Sequence, residues 1–173
     1  MSTASYSSIA TLLALLSLGV VPAVHAIDYS DEYEESTPRM STLTLADKLD
    51  DDAARARSEQ LPLMIKFSTS WCTYCRALEE QVLEPMLKSG DYDDKVILRK
   101  VMVDDGERMR DFDGDEISTS RFAHHAGVEL YPTIVFYDGN GREISERIVG
   151  VTVLDYVPQY IDEALERAAR ELQ

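Results

Sequence analysis

The clearest periodicity lies near the C-terminus. Leu154, Val157, Ile161, Leu165, Ala168 and Leu172 recur at spacings of three or four residues. That stripe predicts an amphipathic helix over about 153–172. Pro158 stands early in it, where a first turn tolerates proline, so the helix is expected to start near Asp155 or Tyr156. Shorter apolar runs read as strands: Leu63 to Ser68 after Pro62, Lys95 to Val103 before the acidic pair Asp104-Asp105, Thr133 to Tyr137, and Glu143 to Val149. The last two flank Asp138-Gly139-Asn140-Gly141, a tight turn that makes them a hairpin, and Gly150 ends the second.

Three further helices are expected. Thr44 caps one running to about Ser58, with Leu45, Leu49, Ala53 and Ala56 inward. Trp71 to Lys88 forms another, carrying Leu78, Val82 and Met86 inward and bent or divided at Pro85. Ser118 to Ala126 is short and stopped by Gly127. Gly106 to Glu116, polar and glycine-punctuated, reads as a loop with one short helical turn. Strands alternating with helices require a parallel component, and the hairpin adds an antiparallel edge, so the expected class is α/β with a mixed sheet.

The chain has 173 residues, 45% hydrophobic and 28% charged, which fits one ordinary globular domain. Its first 26 residues hold no Asp, Glu, Lys or Arg, and Ile9 to Val21 form an apolar run of 13 residues. A spanning helix needs about 20. Pro22 and Val24-His25-Ala26 follow, so residues 1–26 are expected to be a secretory signal peptide cleaved after Ala26. The pattern departs in lacking a Lys or Arg before the apolar run; an uncleaved anchor or buried terminal helix is the alternative. Residues 27–40 read as an acidic flexible lead-in and 41–173 as the folded domain. The net charge of −15 lies wholly after position 26. It would repel nucleic-acid phosphates and otherwise reads as a well-solvated surface.

There are two cysteines, Cys72 and Cys75. Small secreted domains that depend on structural disulfides usually carry four or more. A loop this short barely constrains the unfolded chain, so a reactive disulfide explains the pair better than a staple. Cys72 falls where a strand gives way to a helix, and a helix N-terminus favours thiolate over thiol. Such settings lower a cysteine pKa from about 8.5 into the range of about 3.5–7.5. Cys75, one turn on, is placed to resolve a mixed disulfide formed at Cys72.

Trp71-Cys72-Thr73-Tyr74-Cys75-Arg76 resembles the active site of the thioredoxin superfamily. Gly127-Val128-Glu129-Leu130-Tyr131-Pro132-Thr133 is similar to that family's Gly-Ile/Val-x-x-x-Pro-Thr segment, whose proline is cis and packs against the redox pair. Gly139 and Gly150 fall where the family has its hairpin turn and the glycine after its last strand. The resemblance covers roughly Leu61 to Leu172. It implies a thioredoxin-like three-layer α/β/α domain with a mixed central sheet of about four to five strands. It implies a thiol–disulfide oxidoreductase that needs no bound cofactor, works as a monomer on protein disulfides, and is recharged by a reductant such as a membrane electron conductor. With the signal peptide, the expected location is the periplasm. Asp111-Phe112-Asp113-Gly114, with Ser118 and Phe122, resembles exported SoxW-like proteins. Cys75-Arg76-Ala77-Leu78-Glu79 is similar to the C-terminal domain of DsbD-type membrane reductases, where a Glu four residues past the second cysteine lies by the active site.

Two departures matter. Lys66 stands where ordinary thioredoxins have a buried Asp for proton transfer. Glu79 is expected to supply the carboxylate instead, with Lys66 pairing to it or supporting a thiolate, since a buried lysine without a partner is costly. The alternative has Lys66 snorkelling to the surface and Glu79 as an ordinary helix charge. Thr73-Tyr74 matches neither Gly-Pro nor Pro-His; without a histidine to stabilise the thiolate, it favours a reductant. Trp71, Thr73, Tyr74 and Tyr131 are the expected substrate contacts, simple packing being the alternative for Tyr131.

A second class of function uses the two thiols as ligands in a metal-handling or chaperone-like binding module. His124-His125 could complete such a site, but adjacent residues diverge on a helix and the spacing fits no zinc pattern, so no metal is expected. Asp111, Asp113 and Asp115 mimic a calcium loop, yet Glu116 replaces its glycine, leaving a solvated acidic loop as the reading.

Overall fold

The computed structural model describes residues 43–151 and 153–173; the signal peptide expected at 1–26 and the lead-in expected at 27–40 lie outside the described residues. Strand β1 (Leu63–Ser68) is buried at every position and sits inside a sheet of four. It pairs in parallel with β2 (Ile97–Met102) and antiparallel with β5 (Thr133–Tyr137), which in turn pairs antiparallel with β6 (Glu143–Val149). The order β2-β1-β5-β6 leaves β6 at one border. Both faces of β1 are covered, which is why it reads as a continuous apolar run rather than an alternating one.

Helices cover the two faces. Leu63, Ile65 and Phe67 share a cluster with Leu49 and Ala56 of α1 (Leu49–Glu59) and with Phe122 and Ala123 of α4 (Thr119–His125). Met64 joins Leu78, Leu83 and Met86 from the helical run after the cysteines and Ile161 and Leu165 from α5 (Val157–Glu171). The result is the three-layer α/β/α arrangement that the resemblance implies. Pro158 lies in the first turn of α5, preceded by a 3-10 turn at Leu154–Tyr156.

Two local expectations are corrected, and the division expected in the helix after Trp71 is found. The first helix begins at Leu49, not after Thr44. Thr44 and Ala46 instead pair with Lys100 across the outer edge of β2, through Lys100 N to Thr44 O at 2.9 Å and Ala46 N to Lys100 O at 2.8 Å. An open strand edge satisfies those backbone groups better than a frayed helical turn. Asp50, Asp51 and Asp52 then fill the first turn of α1, where the helix dipole favours anions.

The helix after Trp71 is divided. It comprises α2 (Thr73–Leu78), one π-helical turn (Glu79–Leu83) and α3 (Glu84–Ser89). The Glu84 amide reaches back to Glu79 O, and the widened turn falls immediately before Pro85, which lacks an N–H and clashes with a tight ladder.

The stretch from Gly106 to Glu116 is no plain loop. It holds β3 (Arg108–Arg110), paired antiparallel with β4 (Glu116–Ser118), and Met109 and Ile117 face each other as a buried pair. One apolar residue per strand is too short a pattern to read as period two. Asp111 Oδ1 accepts the amides of Asp113 at 3.1 Å and Asp115 at 3.0 Å, so this acidic turn caps itself. Phe112 beside it packs against Phe122 and Tyr137, with ring centroids 6.0 and 5.1 Å away.

The hairpin turn presses on α1. A Cβ at Gly139 would meet Ala53 O at 2.7 Å and Arg57 N at 3.0 Å, and Arg57 donates a hydrogen bond to Gly139 O. Gly139 is therefore required by close approach. Replacing it with alanine is expected to lower stability by about 1–3 kcal/mol, the range for forced overpacking. Denaturant unfolding checks this, and an unchanged midpoint would show that the turn and helix part freely.

Candidate redox site

The redox pair is held where β1 ends. Val103 N donates to Ser68 O at 2.8 Å, extending the β1–β2 ladder to its last residue. Ser70 N and Oγ then donate to the Asp104 carboxylate at 2.9 and 2.7 Å, pinning the loop that leads to Cys72. Desolvation pushes the Asp104 carboxyl up, but the Ser70 hydroxyl and amide outweigh it and hold the carboxyl below its ordinary value.

Cys72 is the N-cap of α2, and its sulfur accepts the Cys75 amide at 3.1 Å. The two residues form a disulfide with Cα atoms 5.2 Å apart. Cys72 is nearly buried and Cys75 wholly so, which makes Cys72 the outer sulfur.

The distant motif arrives through the sheet. Thr133 stands opposite Phe67, so Pro132 lies beside the end of β1 from which the cysteine loop departs. The Tyr131–Pro132 bond is cis, as the resemblance implies. Gly150 N donates to Pro132 O at 2.8 Å, which ties the end of β6 to the same corner. The rings of Trp71 and Tyr131 meet edge to face at 6.4 Å. Burial, and the Asp104 charge after it, push the Tyr131 hydroxyl above its usual pKa.

Large apolar side chains are exposed beside the disulfide. Trp71 is 72% exposed, Tyr74 61% and Leu130 61%, with exposed Thr73 between the cysteines. Large apolar groups so open to water, clustered at one place, mark an interaction surface. Leu130 was not singled out from the sequence; it belongs to the segment leading to Pro132, and only the fold turns it outward.

Beneath the disulfide lies a charged cluster. Lys66 is fully buried. Its Nζ donates to a Glu79 carboxylate oxygen, to Cys75 O at 3.0 Å and to Ser68 Oγ at 3.1 Å. The other oxygen of Glu79 accepts from Lys100 Nζ at 2.9 Å. Lys66 therefore does not snorkel, and Glu79 is no ordinary surface charge. Burial pulls the Lys66 pKa down to about 8, while the charge and hydrogen bond of Glu79 oppose the fall. Lys100 is missing from the sequence-based site, although a charge inside an apolar strand was a usable signal.

His124 and His125 are exposed, with ring centroids 6.2 Å apart. Among the described residues no group of three or more His, Cys, Asp or Glu has the geometry to hold a metal ion.

A three-layer α/β/α domain with a Cys-x-x-Cys disulfide at a helix N-terminus and a cis-proline beside the same strand end is a thioredoxin-like protein, and the combination supports thiol–disulfide oxidoreductase chemistry. Residues 49–165 match the sequence model of the thioredoxin-like domain family, and the chain belongs to that family. Solved structures similar to it include the thioredoxin of Malassezia sympodialis, at 22% identity and a TM-score of 0.50, covering 77% of this chain and 95% of that one. Another is thioredoxin O2 from Arabidopsis thaliana in its oxidised state, at 23% identity and a TM-score of 0.49, covering 72% of this chain and 96% of that one. No curated protein matches the chain.

Proposed function

We propose that the protein is an exported, SoxW-like thiol–disulfide oxidoreductase that reduces protein disulfides in the periplasm. In this reading residues 1–26 direct export, 27–40 are a lead-in, and 41–173 form the working domain. The observation that carries the reading is the exposed rim of Trp71, Tyr74 and Leu130 around a disulfide whose outer sulfur is Cys72. A rim of that kind receives a protein segment rather than a small charged disulfide.

The reducing direction is supported by the Thr73-Tyr74 spacer, which has no histidine to stabilise the thiolate. Cys72 attacks the substrate disulfide, the substrate's leaving sulfur departs as thiolate, and Cys75 then displaces the second substrate sulfur to close the Cys72–Cys75 bond. A membrane dithiol conductor of the DsbD class restores the reduced pair.

Titration against glutathione buffers tests this directly. The potential is expected nearer that of thioredoxin, about −270 mV, than that of DsbA, about −120 mV. The reduced protein is expected to reduce insulin disulfides, and the exported form to begin at Ile27. A potential near the DsbA value would overturn the reducing direction. Tight stoichiometric uptake of copper or zinc without reversible two-electron exchange would replace the enzyme with a metal-handling module.

A further inference from the structure

Lys66 and Lys100 are partners across the parallel β1–β2 ladder. Like charges directly opposite on neighbouring strands repel, and here both reach into a nearly dry space. Lys66 has no exposed side-chain surface and Lys100 has 13%. Glu79, in the π-helical turn, answers both with one carboxylate, an oxygen to each ammonium. Among the described residues, the two cations and one anion so linked leave a single positive charge in excess. Lys66 also donates to the carbonyl of Cys75, so that charge lies against the inner cysteine.

Glu79 follows Cys75 by one regular turn, its amide donating to Cys75 O, and the ladder widens only beyond it. Among the described residues the charged groups beside Lys66 are Glu79 and Lys100; β5 sets Ile134 opposite it, and its other partners, Ser68 Oγ and the Cys75 carbonyl, are neutral.

We propose that Lys66, Glu79 and Lys100 form a buried three-charge unit whose excess positive charge stabilises the thiolate of the reduced Cys72–Cys75 pair, with Lys100 as the positioning residue that couples the redox equilibrium to the protonation of Lys66. The inference rests on the oxidoreductase reading of the disulfide. Two electrons from a dithiol or from two glutathione molecules break the S–S bond, and one proton stays on a sulfur. The product is one thiol and one thiolate. With glutathione, the second proton goes to solvent as the glutathione disulfide forms. The thiolate's charge is offset by the unit, which favours the reduced state and tempers the reducing strength of the pair.

The burial of Lys66 brings its titration within the working range, to about 8, and repulsion from Lys100 helps to hold it down. Above that pH the unit becomes neutral and its effect on the pair fades. Removing Lys100 makes the unit neutral at pH 7 and moves the titration of Lys66 upward.

The test compares wild type with Lys100→Met, Lys100→Gln and Lys100→Arg in glutathione buffers between pH 6 and 9.5, with thermal melts run in parallel. Lys100→Met and Lys100→Gln are expected to shift the equilibrium at pH 7 about tenfold toward the disulfide, which for two electrons is about 30 mV. Their change of slope near pH 8 is expected to move to higher pH. Lys100→Arg is expected to keep both values. If a neutral variant folds and leaves the equilibrium and the slope change where wild type has them, the three-charge unit is overturned. A wild type that does not exchange with glutathione overturns the oxidoreductase reading instead. A wild type that exchanges at an oxidising potential overturns only the direction of electron flow, and the difference between variants still tests the unit.

Discussion

Cys72→Ser is expected to bring disulfide exchange down to the uncatalysed rate, whereas Cys75→Ser is expected to stop turnover with substrate attached. The asymmetry follows from position. Cys72 is the N-cap of α2 and opens toward the apolar rim, while Cys75 lies one turn deeper with no exposed surface. An attacking thiolate must be reachable by the substrate, and a resolving thiol need only reach its neighbour. Without Cys75 the first exchange still occurs, the mixed disulfide finds no internal thiol, and a covalent complex accumulates. Non-reducing electrophoresis after incubation with an oxidised protein reads this out. Equal trapping by Cys72→Ser would reverse the roles of the two sulfurs, and trapping by neither would remove both from the chemistry.

Glu79→Gln is expected to be the most destabilising single change in the cluster. It leaves two ammonium groups facing each other across β1 and β2 without an anion. Removing one partner of a buried ion pair costs about 3–5 kcal/mol, because the remaining charge is neither solvated nor compensated. The pH dependence has a definite sign. Lys66 titrates at about 8 in the folded protein, below its ordinary 10.5, so between those values the unfolded chain binds more protons than the folded one. Stability from this group therefore rises with pH across that window, and below it the full desolvation cost is felt. Loss of the two favourable contributions of Glu79 lowers the Lys66 pKa further and extends the window downward. The deficit of Glu79→Gln should accordingly be largest near neutral pH and below, and shrink toward pH 10. Urea melts at several pH values measure it; a pH-independent deficit would mean that Lys66 is not the group that suffers.

The apolar run Leu63–Ser68, the hairpin Thr133–Val149 and the last stripe could all be read from one dimension, because each is long enough to show its period and is bounded by Gly, Pro or Asp. The two halves of the redox site were legible for a different reason: Cys72, Cys75 and Pro132 belong to motifs whose residues are close in sequence. What escaped depends on contacts between segments. Thr44 to Asp47 lacks any local sign that an open edge of β2 awaits it. Met109 and Ile117 show one apolar residue each, and their pairing exists only across the turn built on Asp111. Lys66 and Glu79 were suspected from the missing aspartate, whereas Lys100 became part of the site only through the register that sets it beside Lys66. Asp104 was read as the end of a strand, and its hold on Ser70 depends on a loop that only folding brings within reach.

The outermost strand, β6, carries Glu143, Glu146 and Arg147, with Arg147 paired to Glu143 and donating to Ala126 O at 3.0 Å. A second copy sliding alongside that border would have to dehydrate ionic side chains before gaining a single ladder bond, so stacking by sheet extension is discouraged. The exposed rings of Trp71 and Tyr74 flank the disulfide instead, so an approach on that side meets apolar surface first.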